Sequence, residues 1–190
     1  LVEFAARGRP IVGYFGAIAP WLWYEELSQL VEARKDLDFV FIGPDYHGGV
    51  ERLPRAENVI YLGPIDYKVL PAHARLFDVC LIPFRPGEIA RTTSPLKLFE
   101  YFALEKPVVV TSEMVECVAY PEVFRGATAE GLSEALDAAL ASGSSEESRA
   151  RLKALADEND WDRRAETLAR AVEALQRSGI PPRKPSKRQG

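Results

Sequence analysis

Apolar and polar positions along the chain alternate between short apolar runs and amphipathic stretches. Ile11–Phe15 is apolar and stops at Gly16, and Phe39-Val40-Phe41-Ile42 closes on Gly43-Pro44. Val59-Ile60-Tyr61-Leu62 is stopped by Gly63-Pro64, Val79-Cys80-Leu81-Ile82 by Pro83, and Val108–Thr111 follows Lys106-Pro107. Apolar runs of this length, bounded by glycine and proline, predict strands buried on both faces. Residues 24–34 place Leu27, Leu30 and Val31 on one helical face, and 67–77 reads as a helix with Pro71 in its first turn. Residues 114–124 are less regular: a short helical turn, then an edge strand. A helix capped by Thr128 or Ser133 reaches Leu140, and two more cover 146–156 and 162–175. Strands alternating with helices predict an α/β sandwich around a Rossmann-like, doubly wound, mostly parallel sheet. Ligands of such sheets bind beyond the carboxyl ends of the strands. The loops 16–24, 43–49, 63–67, 83–94 and 111–115 are therefore the candidate layer.

One stretch in that layer carries chemistry. Ser94-Pro95-Leu96-Lys97-Leu98-Phe99-Glu100-Tyr101 is followed by Ala103 and by Lys106-Pro107-Val108-Val109-Val110. Ser94 suits an N-cap and Pro95 the first helical position, which leaves the next amides facing outward, where an anion is stabilised. Glu100, flanked by Phe99 and Tyr101, needs a partner if it is buried, and a ribose diol is a good one. An ordinary amphipathic helix with an exposed Glu100 is the alternative on spacing alone.

The run resembles the donor-site helix of GT-B glycosyltransferases, the group 1, family 4-like enzymes, and the similarity continues more weakly from about Arg9 to about Leu175. The resemblance implies that residues 1–176 form the C-terminal, donor-binding half of a GT-B fold. It implies Gly16 against a diphosphate, the helix start at Ser94, Pro95, Leu96 and Lys97 holding that diphosphate, and Glu100 on the ribose hydroxyls. Gly63-Pro64-Ile65 resembles the loop whose backbone holds the nucleobase edge; a plain strand-to-helix turn is the other reading. The implied activity is hexosyl transfer from a UDP- or GDP-sugar to a sugar or lipid-linked acceptor, in envelope polysaccharide or glycolipid synthesis, with no metal or other cofactor. An N-terminal domain of the same protein would supply the acceptor side, so this part alone would bind donor and barely transfer it.

Two departures from the family pattern stand out. The first loop reads Ala17-Ile18-Ala19-Pro20-Trp21, with no cation where many members carry Arg and Lys. Lys97, Arg91 and Arg85 remain as counter-charges, and Lys97 is expected to reach outward beside the free amides. The position eight before Glu100 is Thr92, where the best-known retaining members place a second Glu. Glu88 lies in the preceding loop, and the catalytic residue is unassigned. A nucleotide-sugar-binding module without transferase activity is the competing reading.

Composition narrows the rest. The 190 residues are 47% hydrophobic and 27% charged, as in soluble globular proteins, with no apolar run of membrane-spanning length and no signal-peptide layout. A start at Leu1 suggests a fragment of a longer protein. Cys80 and Cys117 form no disulfide framework or metal set, which points to a reducing cytoplasm. The net charge of −4 conceals a segregation: five cations and no acids lie from Arg177 onward, leaving 19 cations against 28 acids, a balance of −9, before them. That body is unsuited to nucleic acid. The proline-rich 177–190 reads as a disordered tail, a solubilising end that also allows weak peripheral contact with an anionic membrane face. His47 reads as a base or sugar contact or a solvated loop residue; His73 is assigned nothing. Trp21, Trp23 and Tyr24 read as cleft-lining or inter-domain aromatics, with simple core as the alternative. Asp36-Leu37-Asp38 and Asp160-Trp161-Asp162 match a metal-binding Asp-x-Asp but lie away from the strand-end layer. No dinucleotide or ATP phosphate loop is present.

Overall fold

The computed structural model describes residues 2–143 and 145–177. Six parallel strands form one sheet in the order β3-β2-β1-β4-β5-β6. They are β1 (Ile11–Phe15), β2 (Asp38–Ile42), β3 (Val59–Tyr61), β4 (Val79–Ile82), β5 (Val108–Thr111) and β6 (Val123–Gly126). Every position of β1, β2, β4 and β5 is buried, so both faces of the sheet are covered. The expected doubly wound α/β sheet is what forms, and it is parallel throughout.

The chain runs outward from β1 to β3, then returns past β1 to β4. The strand order therefore reverses between β1 and β4, the switch point at which such sheets open a crevice. Gly13 at the centre of β1 provides clearance: a Cβ there would meet the ring of fully buried Phe77 at 2.0 Å.

Helices α1 (Val2–Ala5), α2 (Tyr24–Ala33), α3 (Leu70–Ala74), α4 (Glu88–Thr92), α5 (Lys97–Ala103), α6 (Val115–Val118), α7 (Ala129–Gly143), α8 (Glu146–Glu158) and α9 (Trp161–Arg177) complete the described residues. Helix α2 buries Tyr24, Leu27, Leu30 and Val31. Buried Asn58 donates to the carbonyls of Val31, Arg34 and Leu37, pinning the end of α2 to the start of β3. The start of α7 is held by Thr128, whose hydroxyl accepts from Gly131 N at 3.1 Å, and by Glu26, which accepts from Ala129 N. Thr128, not Ser133, is thus the cap. Asp38 begins β2 fully buried and is paired with Arg9 at 2.8 Å and Arg7 at 3.5 Å.

Two elements differ from expectation. Helix α3 is five residues long because Asp66 first organises a turn, accepting from the amides of Lys68, Val69 and Leu70. Helix α4 falls within a stretch expected to be loop. Helix α9 forms where the sequence placed it and buries none of its residues among those described, exposing Trp161, Leu168, Val172 and Leu175; it meets the core at its start, where the Arg164 guanidinium lies 4.8 Å from the centroid of the Phe99 ring. The expected tail beyond Arg177 lies outside the described residues, and among those described no helix is long and apolar enough to cross a membrane.

Candidate donor-binding site

The carboxyl ends of β1, β2 and β3 meet backbone to backbone. Gly16 N–H donates to Ile42 O and Gly43 N–H to Gly63 O, each at 2.9 Å, and Tyr61 Oη donates to Gly43 O at 2.8 Å. Gly16 and Gly43 have φ of +139° and +144°, a region that side chains avoid. A Cβ on Gly43 would lie 1.9 Å from Gly16 O, and one on Gly16 would lie 2.4 Å from Lys97 Nζ. This edge of the sheet is bare backbone because nothing larger fits.

Lys97 comes to that edge from the first turn of α5. It points inward, not outward as the sequence suggested. Its ammonium donates to Tyr14 Oη at 2.9 Å, and lies 4.3 Å from the centroid of the Tyr14 ring and 5.4 Å from that of Phe84. Tyr14 in turn donates to Ala17 O at 3.0 Å. No carboxylate pairs with Lys97 among the described residues. Desolvation lowers its pKa from 10.5 to about 8, against the opposing pull of Glu100 and Cys117. Burial pushes the Tyr14 hydroxyl well up, so it stays neutral. A partly buried cation with one neutral partner, facing a gap that only glycine permits, is an arrangement an anion completes.

Helix α5 starts later than Ser94 and Pro95 imply. Leu96 is its N-cap, Ser94 is exposed without a capping bond, and Pro95 is buried with its carbonyl accepting from Leu98 N at 3.0 Å. The amides of Leu96 and Lys97 have no acceptor among the described residues. The helix is anchored from within: buried Tyr101 Oη accepts from Phe15 N at 3.0 Å, fixing α5 to the last residue of β1. Glu100 is partly buried on the same helix, and its Oε1 accepts from Tyr67 Oη at 2.9 Å. That carboxylate raises the Tyr67 pKa, mainly through the hydrogen bond. Glu100 and Tyr67 both line two cavities of about 160 and about 280 Å³.

The structure thus brings Gly16, Lys97 and Glu100 to one edge, with Gly63 hydrogen-bonded onto it through Gly43. Pro64 is exposed beside Gly63, and Leu96 is half exposed at the helix start. The other named cations stay away: Arg91 pairs with Glu113 at 2.8 Å, and Arg85 is exposed on its loop. Thr92 donates to Glu88 O at 2.7 Å, and Glu88 itself is exposed. Tyr24 is core, 4% exposed, with its hydroxyl on Ala19 O, whereas Trp21 packs between Tyr46 and Phe84. His47 is exposed, its ring edge-on to Tyr46. Asp36 pairs with Arg34, and Asp160 accepts from Arg163 N at the start of α9. Among the described residues no cluster of three or more His, Cys, Asp or Glu could hold a metal ion. Sequence reasoning missed Tyr14, Tyr67 and Phe84. Tyr14 and Phe84 sit in apolar runs and read as core.

A family model described as glycosyl transferases group 1 matches residues 9–146. The chain belongs to that family. A curated relative, the "Putative teichuronic acid biosynthesis glycosyltransferase TuaH" of Bacillus subtilis (strain 168), is 34% identical over 105 residues. The match covers 54% of this chain and 26% of TuaH, so the chain spans about a quarter of that relative. Among solved structures, Anabaena Alr3699/HepE in complex with UDP superposes with a TM-score of 0.73 at 14% identity, over 92% of this chain and 51% of that one. The α,α-trehalose-phosphate synthase (UDP-forming) of Burkholderia vietnamiensis gives 0.69 at 17%, over 92% and 47%. At such identities the likeness is one of fold. This group 1 chain has the Rossmann-like fold of about half of a GT-B glycosyltransferase.

Proposed function

We propose that this chain is the donor-binding, C-terminal half of a glycosyltransferase that moves a sugar from a UDP- or GDP-type donor to a sugar or lipid-linked acceptor. The observation that carries the reading is Lys97, partly buried, with no carboxylate partner among the described residues and facing Gly16 at the switch point. Family membership and the UDP held by the HepE relative support it. The diphosphate lies against Gly16, with Lys97 and the free amides of Leu96 and Lys97 as its counter-charge, and Ser94 and Pro95 shape the entry. Glu100 takes the ribose hydroxyls, and the backbone at Gly63 and Pro64 borders the base. As the acceptor attacks the anomeric carbon and the bond to the diphosphate breaks, Lys97 stabilises the charge on the leaving group. No metal is required in this scheme. The acceptor side and the base that deprotonates the acceptor come from a further domain of the same protein.

The role of TuaH in teichuronic acid biosynthesis supports an envelope polysaccharide as the acceptor class. The deciding experiment is calorimetric titration with UDP, GDP, ADP and dTDP. One nucleotide should bind best, and Glu100→Ala should weaken it by about 1–3 kcal/mol through loss of a hydrogen-bonding carboxylate. Equal affinity in the variant removes the ribose assignment. One observation favours a binding module instead: Thr92, where a sugar-contacting acid is missing, is tied to its own helix. Sugar transfer by the full-length protein excludes that reading.

A further inference from the structure

The Tyr67–Glu100 contact is hard to explain as a stabilising one. Tyr67 is 71% exposed, so its ring gains little from burial. Its backbone is fixed without it, because the turn is held by Asp66 through the amides of Lys68, Val69 and Leu70. The side chain is therefore free to rotate while the loop stays in place, a motion of nanoseconds for an exposed residue. Its hydroxyl reaches across 33 positions of sequence to Glu100. Tyr67 and Glu100 line both neighbouring cavities. At about 160 and about 280 Å³, neither cavity reaches the roughly 300 Å³ at the low end of ligand pockets, whereas the two joined fall within that range.

We propose that Tyr67 is a gate on the nucleoside subsite: its hydroxyl occupies the Glu100 oxygen that a ribose hydroxyl takes, and it swings off to join the two cavities when the donor enters. This rests on the donor reading above and adds to it the residue that sets donor affinity. The gate holds most of the free protein closed, and the apparent affinity is reduced by the fraction that is open. The contact persists through neutral pH, because the bond to Glu100 raises the Tyr67 pKa and keeps it a neutral donor.

Calorimetric titration of wild type, Tyr67→Phe and Glu100→Gln with UDP, GDP and 2′,3′-dideoxy-UDP tests this. Phenylalanine keeps the ring and removes only the competing hydroxyl. Tyr67→Phe should bind the preferred nucleotide about three- to tenfold more tightly than wild type, the effect of one modest hydrogen bond. In the Glu100→Gln background the same Tyr67→Phe gain should shrink. The dideoxy nucleotide must pass the same gate, so it should gain from Tyr67→Phe by a similar factor, while binding more weakly than UDP in both proteins because it cannot pair with Glu100. Unchanged or weaker binding of UDP and GDP by Tyr67→Phe, with wild type binding normally, overturns the gate and leaves the donor reading intact. A gain for UDP or GDP with none for the dideoxy compound also overturns the gate, because Tyr67 then only competes for one Glu100 oxygen and does not close the subsite. If no nucleotide binds wild type or variant, the donor reading fails and the gate fails with it.

Discussion

Replacing Lys97 with methionine should make the protein more stable and a worse nucleotide binder. The displacement of the lysine pKa from 10.5 to about 8, at about 1.4 kcal/mol per pH unit, corresponds to about 3 kcal/mol held against the folded state near neutrality. Lys97 is only partly buried, so solvent screens some of this, and methionine forgoes the attraction between the ammonium and the Tyr14 ring. A net gain of about 1–2 kcal/mol remains, or roughly 2–8 °C in Tm for a chain of this size. The folded pKa lies below the unfolded one, so between about pH 8 and pH 10.5 the unfolded chain binds more protons. Wild-type stability should rise across that window relative to Lys97→Met. Nucleotide diphosphate affinity should fall by about 1.5–3 kcal/mol, the range for a hydrogen bond to a charged group. Thermal unfolding at pH 7 and pH 9.5 with calorimetric titration of UDP and GDP measures all three. A less stable variant, or one that binds diphosphate as wild type does, refutes the assignment of Lys97 as an unpaired cation awaiting an anion.

Two further perturbations bear on the architecture. Gly43→Ala would place a methyl group 1.9 Å from the Gly16 carbonyl oxygen at a φ that alanine resists, so urea unfolding should show a loss of about 3–5 kcal/mol. The double variant Leu168→Glu, Val172→Glu alters only exposed apolar residues of α9. Its Tm should stay within about 2 °C of wild type, and a larger fall would show that these residues pack on this core.

Strands were the most legible part of the fold, since four apolar runs closed by glycine or proline correspond to β1 to β4 within one residue. A continuous apolar run has little choice but a doubly covered strand. Helices were read less well where local chemistry competed with pattern. Asp66 diverts the chain into a turn and shortens α3, and α4 is one five-residue turn with no apolar period to betray it. At α5 the Ser94-Pro95 signal names the right place, but the helix opens two residues later because Pro95 is drawn into the interior. The site's decisive pairings were beyond reach, since Lys97 meets Tyr14 across 83 positions. Nothing in a single strand tells which of its aromatics turns a hydroxyl toward a cation.

The glycine edge at Gly16, Gly43 and Gly63 has a consequence for anyone redesigning donor choice. At these three positions the border offers no side chain to exchange: Gly16 and Gly43 leave no room for one, and all three hold backbone angles that side chains avoid. On the proposed donor reading, a new preference for one base over another would have to be written into the flanking turns or into Tyr67, while the border itself stays the same for every donor.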